Sequence, residues 1–149
     1  MAKIELHPDF KDFLRLLHSH NVKYLLVGGY AVAYHGYPRA TGDMDIWIAM
    51  DAVNAEKTVE VLRDFGMHQE EVSPELFLEK DRIIRMGFPP VRIEVITGVS
   101  GVDFYDCYTK RTTVVIDEIS IDFISLDDLK KNKEASGRYK DLEDLRHLP

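Results

Sequence analysis

The chain has 149 residues, 45% of them apolar and 30% charged, the proportions of an ordinary soluble protein with enough chain to bury one real core. A net charge of −7 argues against broad, nonspecific nucleic-acid binding, which needs Lys and Arg in excess facing the phosphates. A local basic strip would have to come from Arg82, Arg85 and Arg92, which read more simply as solvated charges at strand edges. Cys107 is the chain's one cysteine, so there is no disulfide framework and no cysteine-based zinc site. Asp103 and Asp106 beside it would raise its thiol pKa, which speaks for filler and against a nucleophile. The N-terminus lacks a signal-peptide core, and the longest apolar run, residues 24–34, falls short of the ~20 residues that span a bilayer. The expected location is the cytoplasm, with no membrane partner.

In chain order, Asp9 is expected to cap a first helix whose Phe10, Phe13, Leu14 and Leu17 recur at i, i+3, i+4 and i+7. Asn21 suits a left-handed stop. Residues 23–27 read as a buried strand, 29–35 as a short helix and 43–49 as a second strand. Asp51 caps a longer helix that ends at Gly66. Ser73-Pro74 opens a short helix, because proline is favoured at the first helical position. Residues 82–86 and 91–96 form a hairpin across the four-residue link Gly-Phe-Pro-Pro. The segment from Ser100 leads into another short helix. Residues 112–116 and 119–124 pair across Asp117-Glu118. Ser125 caps a helix from Leu126, and a last helix carries Leu142, Leu145 and Leu148 on one face. The expected fold class is α/β, α+β in stricter terms. A mixed β-sheet is flanked by helices in a single domain over residues 1–149.

The most informative feature is the run from Gly28-Gly29 to Asp43-Met-Asp45. Side chains two apart on a strand share a face, about 6.5–7 Å apart along it. That spacing suits two carboxylates gripping divalent ions about 4 Å apart. The glycines fall where a strand turns into a helix, where backbone N–H groups can face an anion. Glu94 lies inside the apolar strand 91–96, where a charge is costly unless paired or metal-bound. Asp43, Asp45 and Glu94 can converge from two neighbouring strands. Carboxylates without Cys or His favour a hard ion, Mg²⁺ or Mn²⁺ over zinc. For Glu94 an ion pair with Arg92 or Arg82 is the rival reading. Arg39 and Thr41 can equally order their loop, His35 can pack or cap its helix, and Lys133 can be an exposed helix charge. Asp141 and Asp144 read as anchors of the last helix through capping or ion pairs.

Taken together these residues resemble the nucleotidyltransferase superfamily of the DNA polymerase beta type: an apolar strand, Gly-Gly or Gly-Ser, Asp-x-Asp, then a distant acid on a later strand. The closer resemblance is to the AbiEii-like abortive-infection nucleotidyltransferases, whose toxin members pair with antitoxins. It rests on Gly28-Gly29-Tyr-Ala31, His35-Gly36, Arg39, Thr41 and Asp43-Met-Asp45. The tail adds Lys133, Ala135, Arg138 and Lys140-Asp-Leu-Glu-Asp-Leu145, so most of the chain is covered. Glu94 departs from it, since many relatives carry Asp there.

The resemblance implies metal-dependent transfer of a nucleotidyl group from an NTP to an acceptor, which can be RNA, protein or a small molecule. Asp43, Asp45 and Glu94 would be the catalytic and metal-binding residues, and Gly28, Gly29, Arg39, Thr41 and Lys133 would hold the triphosphate. Full-sized members carry further domains for the acceptor, so its recognition would fall to this domain's surface, a homo-oligomer or a partner protein. Two other readings stand beside it: a non-catalytic nucleotide-binding or regulatory module, and an antitoxin-like interaction partner.

Overall fold

The computed structural model describes residues 4–149. Helix α1 (Pro8–Ser19) buries Phe10, Phe13, Leu14 and Leu17, the stripe that the periodicity predicts. Its cap is His7 and not Asp9: the His7 imidazole accepts from the Asp9 N–H, and Pro8 fills the first helical position. Asp9 sits one step further in, where a carboxylate still favours the positive end of the helix. Asn21, at φ 56°, ends the segment as expected.

Strand β1 (Tyr24–Val27), helix α2 (Gly28–Tyr34), strand β2 (Asp43–Ile48) and helix α3 (Ala52–Phe65) follow. Asp51 caps α3 through Asn54 N–H at 2.9 Å, and Gly66 closes it at φ 112°. The buried Asn54 amide ties α3 to the sheet, accepting from Lys23 N–H at 2.7 Å and donating to Ala49 O at 2.8 Å. A 3₁₀ turn, Pro74–Leu78, precedes β3 (Ile83–Phe88) and β4 (Val91–Ile96). The link between these strands is only Pro89-Pro90, shorter than expected. Gly87 and Phe88 stay in the ladder, opposite Arg92 and Val91.

Helix α4 (Phe104–Thr109), strands β5 (Thr112–Ile116) and β6 (Ile119–Phe123), and helices α5 (Leu126–Ser136) and α6 (Tyr139–His147) complete the chain. Ser125 caps α5. The inward face of α6 is acidic where leucines alone were expected: Asp141 and Asp144 are buried and Leu142 is 41% exposed, while Leu145 is half-buried and Leu148, just past the helix, joins the core. The reason is electrostatic, because the buried Lys133 and the half-buried Arg39 meet these two carboxylates. Cys107 is buried in α4, and burial, followed by the nearby Asp128, pushes its thiol up to about 12.

The six strands run in the order β3-β4-β2-β1-β6-β5. The pairs β2/β4 and β1/β6 are parallel, and the others are antiparallel. This is the mixed sheet flanked by helices that the sequence predicts. On β2, Met44 and Ile46 are fully buried, so Asp43 and Asp45 point to the opposite, more open face. Among the described residues, no helix is long and apolar enough to cross a membrane.

Candidate active site

The parallel pairing of β2 and β4 creates the site. Its register sets Asp43 beside Arg92 and Asp45 beside Glu94, and β3 places Arg85 beside Glu94 from the other side. One oxygen from each of Asp43, Asp45 and Glu94 lies within 4.8 Å of the others. Three carboxylates at that separation repel one another strongly, and the protein answers with arginines. Arg92 holds Asp43 by Nε–Oδ1 at 2.7 Å and Nη2–Oδ2 at 3.0 Å. The same guanidinium lies 3.2 Å from Glu94 Oε1, and Arg85 Nε lies 3.6 Å from that oxygen. Arg82 is elsewhere, paired with Glu79. The hydrogen bond from Arg92 holds the Asp43 carboxyl below its usual range.

Asp45 is treated differently. It has no hydrogen-bond or ion-pair partner among the described residues. Burial, then the charges of Glu94 and Asp43, pushes its carboxyl up to about 7, against the pull of Lys133 and Lys140. A carboxylate withdrawn from water without a counterion, beside two more, makes an all-oxygen donor set that fits a hard divalent ion.

Gly28 and Gly29 lie over this acid pair. Gly28 has φ +68°, and a Cβ there would stand 2.0 Å from Asp45 Oδ2. A Cβ on Gly29 would stand 2.6 Å from Thr41 Oγ1. Each glycine therefore makes room for a neighbouring side chain of the site. Thr41 in turn donates to Asp43 O at 3.2 Å, bracing the entry to β2. His35 Nε2 donates to Ile124 O at 2.6 Å, a packing role that ties α2 to the end of β6.

Helices α5 and α6 build the remaining wall. The Lys133 ammonium is buried, 2.9 Å from Asp141 Oδ1 and 3.2 Å from Asp144 Oδ2. Arg39 forks onto Asp144 with contacts of 2.7 and 2.8 Å. Arg138 reaches Asp141 at 2.9 Å, and the Ser136 hydroxyl donates to the same carboxylate. Burial alone would raise Asp141, but the hydrogen bonds from Lys133 and Ser136 outweigh it and bring the carboxyl to about 2. Three cations meet two carboxylates, so the network keeps a net positive charge.

A cavity of about 590 Å³ opens between the sheet and this wall. Gly28, Gly29, Arg39, Thr41, Asp43, Asp45, Glu94 and Lys133 all line it, so every site residue expected from the sequence meets in one place. Its volume lies within the roughly 300–1,000 Å³ range of small-molecule sites. Arg85, read from the sequence as a strand-edge charge, and Lys140, noted there only as part of the tail motif, line it too. Arg92 was expected as a solvated strand-edge charge or a rival partner of Glu94, and its stronger grip is on Asp43. Two residues before Glu94 on one strand, it could be assigned to the acid face from spacing alone. No local signal places Lys140 there.

No family model and no curated protein matches this sequence. Solved structures do match its shape. One is a candidate nucleotidyltransferase from Thermotoga maritima, with TM-score 0.60 and 18% identity over 95% of this chain and 93% of that one. Another is an antigenic nucleotidyltransferase-like protein from Paracoccidioides brasiliensis, with TM-score 0.55 and 20% identity over 92% of this chain and 70% of that one. At these identities the likeness speaks for the fold, and the fold is of the nucleotidyltransferase type.

Proposed function

We propose that this protein is a metal-dependent nucleotidyltransferase, its residues 1–149 acting as one catalytic domain. The observation that carries the reading is the convergence of Asp43, Asp45 and Glu94 on one cavity, with Asp45 half-buried and lacking a counterion among the described residues. Asp43, Asp45 and Glu94 would hold Mg²⁺ or Mn²⁺. When bound, the ion supplies Lewis-acid chemistry, neutralising phosphate oxygens and acidifying an acceptor hydroxyl.

The chain's own residues do the rest. Gly28, Gly29 and Thr41 line the cavity beside the acids, and the triphosphate would lie along them. Arg39 and Lys133 lend the net positive charge of their network to the phosphates, since such transfer rests on positioning and electrostatics. Glu94 takes the proton of the acceptor hydroxyl. The acceptor oxygen bonds to the α-phosphorus as the bond to the β-phosphate breaks, and pyrophosphate leaves with the displaced electron pair.

The acceptor is RNA, a protein or a small molecule, met by this domain's surface, a second copy or a partner. The motif resemblance supports an AbiEii-like, toxin–antitoxin setting in the cytoplasm. A non-catalytic nucleotide-binding module is the second reading, favoured by the way Arg92 already neutralises Asp43 and Glu94.

Incubation with labelled NTPs, Mg²⁺ and cell extract, followed by a search for labelled products, tests the activity. Glu94→Gln then separates the two readings. The transferase reading expects NTP affinity to hold while turnover falls at least ~10²-fold. It also expects Glu94→Asp to recover part of the loss. Unchanged turnover in folded Glu94→Gln protein refutes it.

A further inference from the structure

Among the cations that line the cavity, one has no partner among the described residues. Arg39 is committed to Asp144, Lys133 to Asp141 and Asp144, Arg138 to Asp141, and Arg85 to Glu94. Lys140 lines the same cavity, is exposed, and makes no hydrogen bond or salt bridge to a described residue. Its position in α6 is also unfavourable for the helix. With Arg138 as N-cap, Lys140 is the second residue of the first turn, where the helix dipole disfavours a positive charge.

Lys140 lines the same cavity as Asp43, Asp45 and Glu94, on the helical wall that α5 and α6 build. Lys133, by contrast, cannot leave its place cheaply, because departure would strip two buried carboxylates of a shared cation.

Resting on the nucleotidyl-transfer reading of this cavity, we propose that Lys140 is the side chain that binds the outer phosphates of the NTP, and that Lys133 is a positioning residue holding α6 in place through Asp141 and Asp144. An unpaired ammonium on a flexible stem, with three donors, suits phosphate oxygens whose position shifts as pyrophosphate departs. The helical cost of Lys140 and its lack of a partner then have one explanation.

The test is calorimetry of the full chain with Mg²⁺ and non-hydrolysable α,β-methylene analogues of the four NTPs, one at a time, alongside melting curves. Lys140→Ala should weaken the preferred analogue about 10-fold or more, the scale of a lost hydrogen bond to a charged group. Its Tm should hold or rise, and Lys140→Arg should retain most of the affinity. Lys133→Met should lower Tm. Unchanged affinity in Lys140→Ala, or a fall in its Tm, overturns the role of Lys140. An unchanged Tm in Lys133→Met overturns the positioning role. If the parent protein binds none of the four analogues, the nucleotide reading itself fails, and this assignment with it.

Discussion

The Arg92 guanidinium grips both oxygens of Asp43, at 2.7 and 3.0 Å, while its Nη2 lies 3.2 Å from Glu94. A tethered cation thus sits on two of the three groups proposed to hold a divalent ion. Metal entry must displace it, so part of the binding free energy is spent in breaking this pair. Arg92→Gln should raise Mn²⁺ affinity several-fold, roughly the worth of a partly exposed bidentate pair. Calorimetry at fixed ionic strength checks this. A loss of affinity would instead mean that Arg92 orients Asp43 for the metal.

Asp45→Asn should leave the metal-free fold as stable as the parent or slightly more so. The amide keeps the shape but removes the half-buried charge and its repulsion with Asp43 and Glu94. Mn²⁺ affinity should fall at least ~10-fold, since even changes behind a ligand cost that much. A collapse in Tm would show that the carboxylate is structural.

Gly28→Ala should damage both stability and metal binding. The new methyl would need the space of Asp45 Oδ2, 2.0 Å away, at a backbone φ of +68° that alanine rarely adopts. The left-handed backbone alone costs roughly 1–3 kcal/mol. Gly29→Ala presses on Thr41 instead and should disturb Mn²⁺ binding less. Equal Mn²⁺ affinity in Gly28→Ala and the parent would contradict this packing account.

The Asp141 carboxyl falls from its ordinary 3.8 to about 2 in the folded protein. A depressed carboxyl pKa means that the unfolded chain binds the proton more readily, so this group stabilises the fold above pH 3.8. That contribution, on the order of 2 kcal/mol, should fade as pH falls from about 4 to 2. Asp141→Asn should flatten this acid limb in urea titrations taken across the window. An acid limb of unchanged steepness would show that Asp141 does not carry it.

The elements were legible where the signal is local. The stripe of α1, the Asp51 and Ser125 caps and the Asp117-Glu118 turn all rest on residues within a few positions of one another. Asp43 and Asp45 could be set on one face because β-strand alternation is local too. The partner of Arg39 could not be found that way, because Asp144 lies 105 residues on. The same holds for Lys133, whose burial depends on how α6 docks, although Asp141 and Asp144 could be read from the sequence as the ion-paired anchors of that helix. Leucine spacing suggested a purely apolar face there, but Lys133, buried on α5, and Arg39 turn Asp141 and Asp144 inward in place of Leu142. The grip of Arg92 on Asp43 likewise needs β2 and β4 to be parallel neighbours in one register, which neither strand announces alone.

The burial of Cys107 has a practical side. Its thiol, buried and pushed up to about 12, offers almost no thiolate to a maleimide near neutral pH. A cysteine introduced as Glu118→Cys, in the turn between β5 and β6, would therefore be the one position to take a dye. That turn lies at the edge of the sheet opposite the β3/β4 hairpin, with β1 and β6 between it and the acids. A fluorophore placed there would report tumbling, self-association or binding of the proposed acceptor by anisotropy, away from the candidate site.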